Sequence, residues 1–454
     1  MVVERAAETL RRLDELGADV LWVVYHNYGA LSQGKVVPRH RFEEVASTGV
    51  SFARANWDFA MTDDQLPHAG FAADSGDFRV IPDPETLIML PHRPGVAQSY
   101  GWLVEGDGEP WDGDPRARLR LAVTALADRG ISAAMAFETE FVLAAPDGAD
   151  WVPDDRSRMF VIDEVDRRWP WVSELLGVLG AAGVPVHQFA KEYGPAQYEL
   201  SLLPGDPVTA ADQFLLARQL VKAAARSVGL VASFMPKPWP ALPANGVHLH
   251  LSLSGPDGEP LIPDPVDPTA LSAAGSHAVA GLLAHGAALS ALTAPSPNSF
   301  RRLQPGSWAP AHRCWGFGNR AALVRVPGTG AGRHLEYRLA DATANPYLMA
   351  AGVLAAVADG LERGLVPPAP ADVDVGHLED DEALAAGYDR LPADPLAALT
   401  ALQADEVLRR ALGPVIVDHY PRVKRFEAEL AERAARETDD DGAAWQRWCW
   451  LEAV

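Results

Sequence analysis

Four short segments alternate large apolar residues with glutamate or histidine, and this alternation restricts the possible folds more than any other feature of the chain. Successive side chains of a β-strand point to opposite faces, so alternate residues share a face. In AFETEFVL, Glu138 and Glu140 share one side and Phe137 and Phe141 the other. In PAQYELSL, Gln197, Glu199 and Ser201 oppose Tyr198, Leu200 and Leu202. NGVHLHLSL sets His248, His250 and Ser252 against Val247, Leu249, Leu251 and Leu253, and RHLEYRLAD sets His334, Glu336 and Arg338 against Leu335, Tyr337 and Leu339. Any one of these fits a half-exposed antiparallel strand facing water. Together they are unusual in residue type, because Lys and Thr are scarce on the polar faces and Glu and His dominate. Like charges at neighbouring positions repel unless a cation lies between them.

Glu138, Glu140, Glu192, Glu199, Glu336 and His248 therefore suit hard divalent ions, with oxygen donors for Mg²⁺ or Mn²⁺ and one imidazole. So many carboxylates disfavour zinc. A complementary set of cations follows: Arg301, Arg302, Arg320, Arg325, Arg333 and Arg338 fall close together in sequence. Guanidinium suits a two-pronged grip on carboxylate or phosphate. A surface salt-bridge role is open to any one of them. Beside a carboxylate metal site, however, ATP plus metal ions accounts for both sets.

The 454 residues allow one large and one smaller domain. A formal net charge of −22 sets the whole-molecule field against nucleic acid and anionic membrane surfaces. No apolar run is long enough to span a bilayer, and the opening MVVERAAETLRRLDELGADV reads as an acidic amphipathic helix rather than a secretory leader. The two cysteines, Cys314 and Cys449, are too few for a disulfide framework. These features predict a reduced, cytoplasmic protein. A strand, turn and strand over VLWVVYHNYGALSQGKVVP indicate a small N-terminal α+β unit, 1–105. The Gly-, Pro- and Asp-dense VEGDGEPWDGDP marks its boundary with a second domain, 106–454. Helical spacing covers roughly 171–183, 209–228, 268–293, 345–364, 395–412 and 420–436, with strands between, which points to an α+β class with a mainly antiparallel sheet.

FETEF, KEYGPAQYEL, FMPKP, NGVHLHLSL, NSFRRL, GNRAALVRVP and EYRLADATANPYL occur in the order and spacing of the class I glutamine synthetases, and from about residue 20 onward the chain resembles that family. The resemblance implies a β-grasp N-terminal domain and a catalytic domain on a curved antiparallel sheet. It also implies a dodecamer of two hexameric rings with active sites between subunits. The expected chemistry is phosphorylation of the glutamate side chain by ATP, then displacement of phosphate by a nitrogen nucleophile, with two or three Mg²⁺ or Mn²⁺ per site. By motif, Glu140, Glu192 and Glu199 resemble ligands of a metal at the acceptor end, and Glu138, His248 and Glu336 ligands of a metal bridging the ATP phosphates. Arg302 and Arg338 resemble glutamate-binding residues, Arg320 and Arg325 phosphate-binding ones, and His250 and Ser252 nucleotide contacts.

The departures from the family pattern bear on the nucleophile. A flexible-loop glutamate that helps to deprotonate ammonium is replaced by Trp308, and an aspartate offered across the subunit interface by Ala53. His334 stands where an arginine is usual, leaving Arg333 to assist, and Pro243 and Ala244 replace an Asn-Gly pair. Ammonium is a cation at neutral pH and needs carboxylates to bind it and take its proton. An indole and a methyl group offer apolar surface instead, which fits an organic amine. The expectation is a γ-glutamyl-amine ligase acting on a small or weakly basic amine. The alternatives are glutamine synthetase proper, and a non-catalytic sensor that has no need to keep like charges clustered. A metal-dependent amidohydrolase shares only the His-x-His strand. Tyr388, where some bacterial members are adenylylated, reads as an ordinary loop tyrosine.

Overall fold

The structure is a computed structural model that describes residues 2–68 and 70–454. The N-terminal helix α1 (Val2–Leu16) precedes the hairpin β1 (Val20–His26) and β2 (Ser32–Pro38), helix α2 (Phe42–Thr48), and strands β3 (Val50–Ala53), β4 (Asp77–Pro82), β5 (Ile88–Met89) and β6 (Val96–Val104). They form a mixed sheet in the order β2-β1-β6-β4-β3, with β5 on β6. Its central pair, β1 and β6, is parallel. The strand-turn-strand expected over 20–38 is this first hairpin.

Helix α3 (Pro115–Ala127) begins where Asp114 caps the Arg116 N–H and Pro115 occupies the first turn. The strands that follow are β7 (Ser132–Asp147), β8 (Asp150–Pro153), β9 (Val186–Lys191), β10 (Gln197–Leu202), β11 (Val231–Ser233), β12 (Val247–Ser254), β13 (Trp315–Phe317), β14 (Val324–Val326) and β15 (Leu335–Tyr337). Their sheet runs β13-β14-β15-β12-β7-β10-β9, with β8 and β11 also paired to β7. Every pair is antiparallel except β13 with β14. The class is α+β, as the pattern of helices with strands between them predicts, and the catalytic sheet is curved, as the family resemblance implies.

The apolar faces of these strands are covered by helices. Phe137 stacks on Phe214 of the helix Pro207–Ser227 with ring centroids 4.9 Å apart, and Phe141 meets Phe234 at 5.2 Å. Phe137, Leu200, Val247, Leu249 and Leu335 are fully buried. This burial pins the register: a one-residue slip of any strand would turn its carboxylates into the core.

The two sheets are tied together at Arg116. Its guanidinium bonds Asp83 at 2.8 Å and Asp212 at 2.7 Å and lies 3.9 Å from the centroid of Trp102. Trp111 stacks on Phe78 of the N-terminal sheet at 5.1 Å.

Two of the expected helices are divided. The stretch 268–293 contains Ala273–Ala284 and Gly286–Thr293, separated at His285. The stretch 395–412 stops at Ala404, because Asp405 caps the next helix by accepting from the Leu408 N–H. That next helix, Glu406–Glu437, takes in 420–436 and is broken by Gly413 at φ 77°. That conformation, φ 77° with ψ 166°, is one that favours glycine, and a Cβ there would also displace the Arg118 guanidinium.

Candidate active site

The register of four strands assembles the site. Across β7 and β12, Glu138 pairs with His248; across β7 and β10, Glu138 pairs with Ser201 and Glu140 with Glu199. Across β12 and β15, His250 pairs with Glu336, which pairs in turn with Arg325 of β14. Paired residues of antiparallel strands project from the same face. The polar halves of all four alternating segments thus lie on one surface of one sheet.

Among the described residues, Glu138, His248 and Glu336 form a group whose potential ligand atoms all lie within 4.8 Å of one another. His248 Nδ1 is 2.9 Å from Glu138 Oε1 and 3.6 Å from Glu336 Oε1. Glu336 is completely buried and also receives Arg325 at 2.6 Å and Arg338 in a closer ion pair. Burial opposes the charge of Glu336, but His248 and Arg338 hold its carboxyl down at about 2. Burial likewise opposes the charge of Glu138, and His248 and His250 hold it well below the usual carboxylate range. Burial, with Arg338, lowers His248 to about 4, so its imidazole is neutral and able to ligate at neutral pH.

The other carboxylates are in the opposite condition. Burial and the neighbouring Glu192 push Glu140 up to about 7, although its Oε2 accepts the Gly246 N–H at 2.8 Å. Burial raises Glu199, reinforced by Glu138, Glu140 and Glu192. Burial also raises Glu192, whose Oε2 accepts the Tyr193 N–H at 2.9 Å. The nearby cations, Arg302 and Arg338 at Glu140 and Lys191 and Arg320 at Glu192, do not offset burial and mutual repulsion. As oxygen donors these three carboxylates suit divalent cations in chemistry, but among the described residues their ligand atoms do not converge within 4.8 Å as those of Glu138, His248 and Glu336 do.

The arginines divide by position. Arg302 is buried and donates to the carbonyls of Leu339 at 2.6 Å and Arg338 at 3.0 Å. Arg338 bridges Glu336 and the Arg320 carbonyl, the latter at 2.8 Å. Arg333 is buried, donates to the Pro268 carbonyl at 3.0 Å and lies 4.8 Å from the Phe317 centroid. His334 Nε2 is 2.9 Å from His250 Nδ1, so the histidine that stands in place of the usual arginine pairs with the neighbouring strand. Ser252 lies on the same face of β12, exposed. Two expected site residues are not drawn into the carboxylate cluster. Ala53 lies in the edge strand β3 of the other sheet, opposite Asp77. Trp308 lies in the loop after the helix Pro297–Arg302, is 73% exposed, and has a left-handed φ of 62°. Tyr388 packs in a small satellite core with Cys314 and Val375.

Some supporting residues were not foreseen in these roles. Gln197 donates to the Ala244 carbonyl and to Asn245 Oδ1, both at 2.8 Å, and its Nε2 is 3.5 Å from Glu140. It thereby holds the strand that delivers Gly246 to Glu140. Gly246 has a steric requirement, since a Cβ there would stand 2.7 Å from Arg302 Nη2 and 3.2 Å from His248 Nε2. The Gly-Val-His sequence was its only signal.

Comparison with known proteins agrees with this geometry. The family description "Glutamine synthetase, catalytic domain" matches residues 112–441, and "Glutamine synthetase N-terminal domain" matches 9–111. A glutamine synthetase of Pyrococcus abyssi is 33% identical over 433 residues, 94% of each chain. The gamma-glutamylpolyamine synthetase GlnA3 of Streptomyces coelicolor is 35% identical over 456 residues, 98% of this chain and 97% of that one. A solved structure of GmaS without ligand superposes with a TM-score of 0.84 at 29% identity, covering 95% of this chain and 98% of the other. The chain belongs to the glutamine synthetase family of ATP-dependent ligases, which form carbon–nitrogen bonds using ATP and divalent metal ions.

Proposed function

We propose that this member joins the side-chain carboxyl of glutamate to an organic amine rather than to ammonium. The carboxylate attacks the γ-phosphorus of ATP, giving γ-glutamyl phosphate and ADP. The amine then attacks the acyl carbon, phosphate leaves, and the amine's extra proton passes to base or solvent. Divalent ions at Glu138, His248 and Glu336 and at Glu140, Glu192 and Glu199 would supply charge neutralisation at the phosphates and at the acceptor carboxylate. Arg302 and Arg338 orient glutamate. Arg320, Arg325 and Arg333 grip the phosphates, with His250 and Ser252 beside the nucleotide. We read the assembly as two hexameric rings working in the cytoplasm, with Ala53 of one copy facing the site of the next.

The observation that carries the choice of nucleophile is Trp308, an exposed indole in a loop where ammonium-using members of the family bring a carboxylate. Covering an indole with a carbon-bearing amine is favourable by about 25 cal/mol per Å² of apolar surface removed from water. Ammonium has no such surface to offer. The similarity to a gamma-glutamylpolyamine synthetase over nearly the whole chain supports the same direction. Trp308 and Ala53 leave out two carboxylates that a polycation would use, which favours a small monoamine, an aryl amine or a hydrazine.

The test is phosphate release from ATP with glutamate and a panel comprising ammonium, monoamines, ethanolamine, a polyamine, an aryl amine and hydrazine, followed by mass spectrometry of the product. A γ-glutamyl amide formed with higher kcat/KM than glutamine is expected. Ammonium as the best nucleophile would sink the organic-amine assignment. Absence of phosphate release with every nucleophile would favour the sensor reading.

A further inference from the structure

On the side of the molecule where the N-terminal sheet meets the helix Pro207–Ser227, a cavity of about 680 Å³ is lined by residues of β1, β2, the turn before β6, that helix and the C-terminus. Its charge is opposite to that of the molecule. Arg218, Lys222 and Arg226 line it from one face of the helix, at spacings of four residues. His92 and Arg93 approach from the turn before β6, and Lys35 from β2. Against the five Lys and Arg side chains, the acidic lining residue among those described is Glu452. The formal charge of the whole chain is −22, so the concentration of cations here is local and specific.

These cations are poorly compensated. Like charges four apart on a helix face repel. Arg218 is only 5% exposed, yet its guanidinium donates to carbonyl oxygens, those of Ala342 at 2.9 Å and of Ala30. Lys222 Nζ donates to the Ala453 carbonyl at 2.8 Å. Burial, with Arg218 and Arg226, lowers Lys222 to about 7, and burial lowers Arg218 to about 10. His92 Nδ1 is buried without a hydrogen-bond partner. A buried carbonyl satisfies a donor but not a charge. The volume is that of a metabolite site.

We propose that this cavity is a binding site for a small polyanion, one carrying two or more carboxylate or phosphate groups, gripped by Arg218, Lys222 and Arg226 from the helix and by Arg93 from the N-terminal domain. Such a ligand bridges the two domains. It also touches a residue connected to the catalytic sheet, because Arg218 joins the turn of the β1–β2 hairpin at Ala30 to Ala342, four residues beyond Arg338. None of the four gripping residues belongs to the site on the catalytic sheet.

The test is calorimetric titration of full-length, Mg²⁺-loaded enzyme whose catalytic site is held by a non-hydrolysable ATP analogue. Inorganic phosphate is used in one arm and succinate in another, and the arm that binds more tightly identifies the anionic group. Saturable binding of one anion per chain is expected, weakened about tenfold or more in Lys222→Met and Arg226→Gln. kcat and the KM for ATP in the absence of the anion should be unchanged in both. Arg226 is exposed, so its replacement keeps the test independent of any folding defect at Lys222. The proposal is overturned by absence of saturable binding at millimolar anion, or by equal affinity in wild type and both variants. It is equally overturned if the variants change only the mass of the assembly, which would assign the cations to contacts between subunits.

Discussion

Glu140→Gln should make the metal-free protein more stable while damaging the loaded one, and the size of the effect follows from the site. Burial and Glu192 raise the Glu140 carboxyl from its ordinary 4.5 to about 7. A group with a raised folded-state pKa contributes stability that is fully present below its unfolded value and lost as pH rises through its folded value. At about 1.4 kcal/mol per pH unit, metal-free wild type loses about 2–3 kcal/mol between pH 4.5 and 7, the lower figure allowing for the water that still reaches the carboxylate. Glutamine resembles the protonated acid and can still accept from the Gly246 N–H, so the variant escapes this loss. With about 2.1 cal/mol/K of unfolding entropy per residue, 454 residues give about 1 kcal/mol per degree. Thermal unfolding after chelation should therefore show similar Tm values near pH 5 and a variant about 2–3 °C higher at pH 8, on that same entropy. Mg²⁺ at about a thousand times its Kd at pH 8 should reverse the order, since it adds about 4.1 kcal/mol to the form that binds it. Parallel Tm profiles at every pH, or a less stable metal-free variant at pH 8, would refute the account.

Other substitutions probe other parts of the molecule. Glu336→Ala removes the shared partner of Arg325 and Arg338 from a fully buried position, and should abolish ATP-dependent ligation and cost about 3–5 kcal/mol in denaturant unfolding; an active variant of normal stability would contradict the assignment. Phe137→Ala should cost about 3–5 kcal/mol, because the ring stacks on Phe214 directly beneath Glu138; a loss below about 1 kcal/mol would mean that this core layer does not support the strand. His285 is held between Asp405 at 2.6 Å and Asp359 at 3.1 Å, which raise its pKa against burial. Its contribution is present below 6.5 and fades as pH rises through the raised value, so His285→Asn should destabilise more at pH 6 than at pH 9, and a pH-independent loss would count against the charged bridge.

The catalytic sheet was legible because period-two alternation survives wherever one face of a strand is packed on helices. Phe137, Leu200, Leu249 and Tyr337 mark the covered face, and the residues between them had to share the other. Pairing order was not legible. Nothing in NGVHLHLSL states that it lies between FETEFVL and HLEYRLAD, because the choice depends on contacts between segments far apart in sequence, Glu138 with His248 and His250 with Glu336. The helix breaks at His285 and Asp405 escaped a reading by apolar spacing, since the spacing continues across both while the backbone turns. Asp405 carried a recognisable capping signal, and Gly413 followed by Pro414 marked the later kink. The hub role of Gln197 was hidden for a different reason, since an amide on a strand announces nothing until its three acceptors are in place.

The two groups of carboxylates differ in what they require. Glu138 and Glu336 are ionised by the protein itself, through His248, Arg325 and Arg338, and form a site whose charge exists before any ion arrives. Glu140, Glu192 and Glu199 are driven toward protonation by burial and by neighbouring carboxylates, which outweigh the cations near them. On the proposed assignment, an ion entering the first group meets ligands already deprotonated, whereas an ion entering the second must displace protons. Loading of the second group should therefore release protons and strengthen with rising pH between about 6 and 8, while loading of the first changes little over that range. Titrating Mn²⁺ in two buffers of different ionisation enthalpy separates the two. One class of site with pH-independent affinity and another with proton release is the expected result, and a single class releasing no protons would remove the electrostatic distinction between the two halves of the site.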